Sequence, residues 1–159
     1  MRWDAFAAAC PEIAARAHAR FTADELVLLG TLRKDGSARI SPCEIDFADG
    51  RLMLGMMWRS RKALDLTRDP RIVVHSLPSD KANLGGDAKL YGRAVDEQDP
   101  DVREAFGRAI QARLDWRPDE PFHLFSLDVS EAAFVVFGEE RTVLTWDPER
   151  GLRRSSTPH

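Results

Sequence analysis

The sequence has 159 residues, with 43% hydrophobic side chains, 31% charged side chains and a formal net charge of -3. This balance is typical of one folded domain and argues against a disordered chain. An acidic total also argues against a nucleic-acid-binding protein. No apolar run approaches the ~20 residues that span a bilayer, and no metal-ligand spacing links the histidines. We therefore expect no nucleic-acid partner, no membrane insertion and no metal site.

The two cysteines, Cys10 and Cys43, lie far apart and form no CxxC motif. This pattern favours free thiols in a reducing compartment over a disulfide framework. The N-terminal stretch carries Asp4 and Glu12 and lacks the apolar core of a signal peptide. The sequence therefore predicts a cytoplasmic protein.

The first half begins with a helical segment, residues 1–24, in which apolar side chains recur at helical spacing. Pro11 lies inside this segment and can divide it into two helices. Three strands joined by Asp-Gly turns follow and predict an antiparallel meander. Their expected ranges are Leu26–Leu29, Ala38–Phe47 and Arg51–Met57.

The middle strand of this meander has an irregular pattern. Ala38 and Ile40 are apolar at even positions, whereas Ile45 and Phe47 are apolar at odd positions. A change of face requires an interruption, and a proline cannot donate to the ladder. The pattern therefore predicts a bulge at Ser41–Pro42.

The second half alternates helices with strands. We expect helices at 60–68 and 100–114, strands at 71–77, 88–95, 122–137 and 142–146, a loop at 78–86, and a loose basic tail at 148–159. About seven strands and three helices result, mainly in antiparallel order. This predicts a single domain, 1–159, that is mainly β with flanking helices and forms a closed or partly closed barrel.

A basic cluster at the start of the second helix contradicts a local rule. Arg59, Arg61 and Lys62 crowd a helix N-terminus, where cations are disfavoured by roughly 0.3–1 kcal/mol each. A bound phosphate would resolve the conflict, and a solvated basic turn is the alternative. Gly55, inside the preceding strand, indicates either close approach by a ligand or a bend in the barrel.

Four segments together resemble the pyridoxamine 5′-phosphate oxidase-like, FMN-binding split-barrel family. They are LGTLRKDGSAR at 29–39, DGRLMLG at 49–55, SRKALDLTRDPRIVV at 60–74 and GDAKLYGRA at 86–94. The third segment is the most specific, because Ser-Arg-Lys followed by Asp-Pro-Arg and an apolar strand is a family hallmark. The resemblance extends from about residue 25 to residue 146.

The resemblance implies an antiparallel split barrel, a homodimer and an FMN at the subunit interface. It places the FMN phosphate on Arg61 and Lys62 and assigns no catalytic side chain. The full set of cofactor-binding residues that it implies is Arg39, Ser41, Gly55, Met56, Ser60, Arg61, Lys62 and Asp87.

Two departures separate the chain from true pyridoxamine phosphate oxidases. Glu44 stands where they carry a lysine, and the Arg-x-His motif is missing. The resemblance therefore implies an oxidoreductase in which hydride moves through flavin N5 to or from another small conjugated substrate. An F420-dependent reductase of the same fold and a non-catalytic flavin or haem binder are the alternatives. For haem, His75 is the first candidate for the axial ligand.

Overall fold

A computed structural model describes residues 1–78, 85–138 and 140–158. The helices are α1 (Trp3–Ala9), α2 (Pro11–Asp24), α3 (Arg61–Arg68) and α4 (Pro100–Leu114). The strands are β1 (Leu26–Leu32), β2 (Ala38–Glu44), β3 (Asp46–Ala48), β4 (Arg51–Met57), β5 (Arg71–Ser76), β6 (Asp87–Asp96), β7 (Phe122–Val136), β8 (Glu140–Asp147) and β9 (Gly151–Pro158). Most of the predicted loop at 78–86 lies outside the described residues.

Pro11 divides the N-terminal segment into α1 and α2, as its position predicts. It occupies the first turn of α2, where a missing backbone N–H costs nothing. The helices bury Phe6, Ile13 and Phe21 completely against the sheet. Residues 1–24 are therefore part of the folded core.

The sheet is antiparallel throughout its described pairs, in the order β2-β1-β5-β6-β7-β4-β3. β8 adds to β7, and β9 adds to β8. The 15-residue β7 pairs with β4 over 122–126 and with β8 over 132–136, while β6 follows its other edge from 125 to 135. This long strand joins the two halves of the barrel.

The predicted meander is confirmed in both of its hairpins, but its middle strand, expected at Ala38–Phe47, is divided into β2 and β3. β1 pairs with β2 across the first Asp-Gly turn, and β3 pairs with β4 across the second. The pairing that the sequence did not predict is that of β4 with β7, and no described ladder joins β4 to β2. Strand pairing is interrupted at Ile45, which separates β2 from β3. Local turn signals define the hairpins, but they do not determine which distant strand completes the sheet.

The predicted bulge at Ser41–Pro42 is also wrong. β2 runs unbroken through this dipeptide, with Pro42 opposite Leu28. Pro42 is tolerated because β2 is an edge strand. No change of face is needed, because Ile40 points outward and is 74% exposed, whereas Cys43 and Ile45 are buried.

The expected loose tail is ordered over most of its length. β9 pairs with β8 along 151–158, after a turn in which Asp147 accepts hydrogen bonds from the backbone of Glu149 and Arg150. The tail resembles a loose segment in sequence because its side chains are polar and exposed. Backbone pairing nevertheless orders it.

A buried carboxylate, Asp65, ties α3 to the first hairpin. It accepts hydrogen bonds from Thr31 Oγ1 at 3.1 Å and from Arg39 Nε at 2.6 Å, and a third from Arg68 at 3.3 Å. Burial alone raises the pKa of Asp65, but the three hydrogen bonds outweigh it and hold the pKa below its usual value. Asp65 is therefore an ionised carboxylate that fixes the position of α3.

Replacement of this carboxylate is expected to destabilise the fold. Asp65→Asn should lower the free energy of unfolding by about 3 kcal/mol, because the guanidinium of Arg39 loses its charged partner in a shielded site. Urea unfolding measures the change. Asp24→Asn, which removes an exposed carboxylate near Arg20, should cost less than about 1 kcal/mol.

The difference in unfolding free energy between the wild type and Asp65→Asn is expected to depend on pH. The folded pKa of Asp65 is lowered, whereas the unfolded pKa is about 3.9. The stabilisation is therefore present above that pH and is lost as the pH falls through the folded pKa. The difference between the wild type and Asp65→Asn should shrink below about pH 4, and a constant difference would contradict this assignment.

Candidate functional site

A cavity of about 500 Å³ opens between the β2–β4 side of the barrel and α4. Its walls are largely apolar and aromatic, with contributions from both halves of the chain. The lining residues are Leu26, Pro42, Cys43, Glu44, Asp46, Gly55, Met56, Met57, Trp58, Lys62, Phe106, Ile110, Trp116, Pro118, Asp119, Pro121 and Phe122. The volume and shape suit a small, flat organic molecule.

Lys62 brings positive charge to this cavity from the first turn of α3. Its Nζ donates to the carbonyl of Pro42 on β2. Beside it, burial raises the pKa of the Cys43 thiol to about 11, with Glu44 raising it further and Lys62 opposing the rise. Cys43 is therefore a neutral thiol at physiological pH, and we assign it no nucleophilic role.

The turn into α3 holds polar groups that the protein itself leaves unused. Ser60 occupies the N-cap position, but its side chain makes no capping hydrogen bond. Its Oγ is buried and has no hydrogen-bond partner in the described structure. Arg59 adopts a φ of 56°, and Arg61 is exposed. The turn therefore carries a buried hydroxyl without a partner and three cations, of which Lys62 lines the cavity.

Arg39 and Ser41 lie on β2 near this turn but do not line the cavity. The Nε of Arg39 donates a hydrogen bond to Asp65 at 2.6 Å, so α3 holds the guanidinium in place. Its role in phosphate binding stays a prediction. The contact does show that Arg39 and the start of α3 belong to one connected unit.

Gly55 lines the cavity, and its lack of a side chain has a packing reason. A Cβ at this position would lie 2.6 Å from Cζ of Phe106 on α4. Phe106 packs in a second core cluster with Met53, Ile110 and Leu124. The glycine therefore lets α4 approach β4, and that approach forms one wall of the cavity. Met56, the next residue, is 4% exposed and also lines it.

Asp87 lies apart from the other predicted site residues. It begins β6 opposite Val135, whereas Gly55 lies opposite Leu124, eleven positions earlier on the same strand β7 (135 − 124 = 11). Asp87 does not line the cavity. Its predicted contact with a cofactor is not tested by this arrangement.

His123 lies beside residues that line the cavity. It lies opposite Met56 in the β4–β7 ladder, and its ring stacks on Trp58 with centroids 4.6 Å apart. Its Nε2 is buried and has no partner among the described residues. His75, the histidine favoured from sequence, lies on β5 and bonds through Nδ1 to the carbonyl of Ser76.

Sequence reasoning missed the α4 side of the cavity. Phe106, Ile110, Trp116, Asp119 and Phe122 all line it, but they lie 44 or more residues beyond Lys62 (106 − 62 = 44). Only tertiary packing brings them back. The signal available in the sequence was Trp116, an aromatic residue in a proline-rich loop. In the structure its side chain is 51% exposed.

The described residues contain no helix long and apolar enough to cross a membrane. Within the same residues, no group of three or more metal-ligating side chains comes together.

The sequence matches one known protein family. A family model described as pyridoxamine 5′-phosphate oxidase matches residues 13–136. The chain belongs to this family of FMN-binding split-barrel proteins. No curated protein matches the sequence significantly.

Solved structures with the same fold come from proteins of different kinds. One is a pyridoxamine 5′-phosphate oxidase-related, FMN-binding protein from Nostoc punctiforme, with 18% identity, a TM-score of 0.65, and coverage of 94% of this chain and 96% of that one. PhzG from Burkholderia lata, in complex with tetrahydrophenazine-1-carboxylic acid, has 12% identity, a TM-score of 0.66 and coverage of 95% and 93%. A haem-binding protein from Mycobacterium smegmatis has 13% identity, a TM-score of 0.59 and coverage of 91% and 88%. At these identities the likeness establishes the fold alone.

The packing role of Gly55 can be tested separately from any ligand. Gly55→Ala should lower the free energy of unfolding by about 1–3 kcal/mol, because its Cβ forces Phe106 away. Urea unfolding of the ligand-free protein measures the loss. Gly138→Ala, where the nearest atom would lie 3.8 Å away, is the control.

A second substitution checks the cause. Phe106→Leu shortens the opposing side chain and should make Gly55→Ala less costly than in the wild-type background. An unchanged stability of Gly55→Ala would contradict the packing role and favour close approach by a ligand.

Proposed function

We propose that this protein is an FMN-dependent oxidoreductase that transfers hydride to or from a small conjugated substrate. The observation that carries the proposal is the start of α3, where Lys62 lines the cavity, Arg61 precedes it in the chain, and Ser60 Oγ is buried without a partner among the described residues. Family membership supports the choice of FMN, since the family is one of FMN-binding proteins.

The phosphate of FMN fits the start of α3 on physical grounds. The free N–H groups of a helix N-terminus attract an anion, and α3 has no acidic residue in its first turn. Arg61 and Lys62 supply charge, and Ser60 Oγ supplies a hydroxyl donor. A bound phosphate would thus satisfy the orphaned hydroxyl and neutralise the crowded cations.

The ring of the flavin fits the adjoining cavity. Gly55 and Met56 form the strand side, while Trp58 and Phe106 add aromatic surface. When bound, the flavin supplies hydride transfer through its N5, and the protein supplies binding, orientation and exclusion of water. Because the flavin itself would carry the hydride, we assign no catalytic side chain. Glu44 and the missing Arg-x-His motif argue against pyridoxamine phosphate oxidase activity itself.

We also propose that the protein is a homodimer with the cofactor at the interface. Exposed apolar side chains support this, because Met57 and Trp58 line the cavity and are 80% and 54% exposed, and Ile40 on β2 is 74% exposed. Asp87 then has a role in cofactor binding only if the partner protomer supplies it. The buried free thiols Cys10 and Cys43 support the proposal of a cytoplasmic location.

Titration with FMN tests the phosphate site. The double variant Arg61→Ala, Lys62→Ala should bind FMN on the order of 100-fold more weakly than the wild type, because it loses two charge-assisted hydrogen bonds. Quenching of flavin fluorescence measures the affinity. Urea unfolding should show that the fold is retained.

The chain contains a matched control at the β1–β2 turn. Arg33→Ala, Lys34→Ala removes the same pair of residue types at exposed positions and should leave FMN affinity unchanged. In a parallel titration with F420, whose tail is anionic, tighter binding than FMN would contradict the choice of cofactor. A loss of F420 affinity in the Arg33→Ala, Lys34→Ala variant would support the F420 alternative, because the long anionic tail of F420 requires further cations such as Arg33.

A non-catalytic haem binder is the second candidate, favoured by one observation. His123 has a buried, unpartnered Nε2, it adjoins the cavity strand opposite Met56, and neutral imidazole is a common iron ligand. His123 thus replaces His75 as the histidine to examine.

Titration with haemin tests this candidate. If haem binds at the cavity, a shifted Soret band should form with the wild type and be lost in His123→Ala. His75→Ala is the matched control and should retain the band. A Soret band unchanged by His123→Ala would exclude His123 as the axial ligand.

A further inference from the structure

The cavity carries more negative charge than the flavin site needs. Three carboxylates, Glu44, Asp46 and Asp119, line it together with one cation, Lys62. Lys62 belongs to the α3 side, where its Nζ donates to Pro42 and where the proposed phosphate lies. The three carboxylates are then the charged groups that a ligand in the rest of the cavity could meet, depending on whether the protein already pairs them.

Asp46 is already neutralised by the protein. Arg113 on α4 donates to both of its carboxylate oxygens, from Nε at 3.0 Å and from Nη2 at 2.9 Å. The remaining Nη1 of Arg113 bonds to Glu25 at 2.7 Å. This bidentate arrangement leaves Asp46 little capacity to attract a ligand charge.

Glu44 and Asp119 are different. In the part of the chain that the structure describes, neither carboxylate makes a hydrogen bond or an ion pair. They come from unrelated elements, Glu44 from the end of β2 and Asp119 from the loop between α4 and β7. The cavity brings them to one surface, so it presents two unpaired negative charges there.

The aromatic walls specify the shape of the ligand. Trp116 and Phe122 line the cavity in addition to Trp58 and Phe106, which we assign to the flavin ring. Aromatic faces stack on flat rings and attract cations. Negative charge and aromatic surface thus favour the same kind of molecule.

We propose that the substrate side of this cavity selects a small, flat, cationic molecule, such as a protonated aromatic amine or an N-heterocyclic cation. Glu44 and Asp119 are its specificity-determining residues, and an anionic substrate is repelled. This inference rests on the proposed function, because it assigns the substrate of the same flavin site.

Three matched probes test the charge preference. They are 1-methylquinolinium, which is cationic, 2-methylquinoline, which is neutral above the pKa of its ring nitrogen, and quinoline-2-carboxylate, which is anionic. Calorimetric titration into FMN-loaded protein should rank them in that order. The preference should weaken at high salt, because both carboxylates are exposed.

Substitution tests the residues. Glu44→Gln and Asp119→Asn should each weaken 1-methylquinolinium binding about 2–5-fold and leave 2-methylquinoline binding unchanged. Glu149→Gln removes an exposed carboxylate outside the cavity and is the control. Equal affinity for the cation and the anion, or no effect of either substitution, would overturn the proposal.

The flavin titration separates this failure from that of the proposed function. If FMN binds but the cation is not preferred, the charge selection is wrong and the flavin site stands. If FMN does not bind the wild type, the proposed function is wrong, and the assignment of a substrate beside a flavin falls with it.

Discussion

The contact between Asp65 and Arg39 joins the two parts of the molecule that the candidate site requires. Asp65 lies on α3 and Arg39 on β2, and Thr31 of β1 completes the buried cluster. A charged group is stable in such a place only when it is fully paired. The pairing therefore fixes the start of α3 against the first hairpin, and with it the positions of Ser60, Arg61 and Lys62.

The opposite wall depends on shape instead of charge. Gly55 lets the ring of Phe106 approach β4, and α4 then extends over the barrel with Ile110 in the same cluster. The loop that follows α4 carries Trp116 and Asp119 to the cavity. One side of the site is thus held by a buried ion pair and the other by close packing.

Much of the local structure was predictable because its causes are local. Pro11 starts α2, and Asp35-Gly36 and Asp49-Gly50 mark the hairpins. The cluster at Arg61 and Lys62 pointed to the start of α3 as the candidate site. The pairing of β4 with β7 and the α4 wall could not be predicted, since they join residues far apart in sequence. The outward position of Ile40 was missed because alternation alone does not identify which face is buried.

The pairing of β7 has a consequence for synthesis of the chain on the ribosome. β4 ends at Met57, but β7, which pairs with its second edge, does not begin until Phe122. During the translation of the intervening residues, β4 presents an unpaired edge rich in leucine and methionine. Such an edge can associate with other nascent chains. Completion of the barrel, and closure of the cavity beside Gly55, must therefore await the arrival of β7.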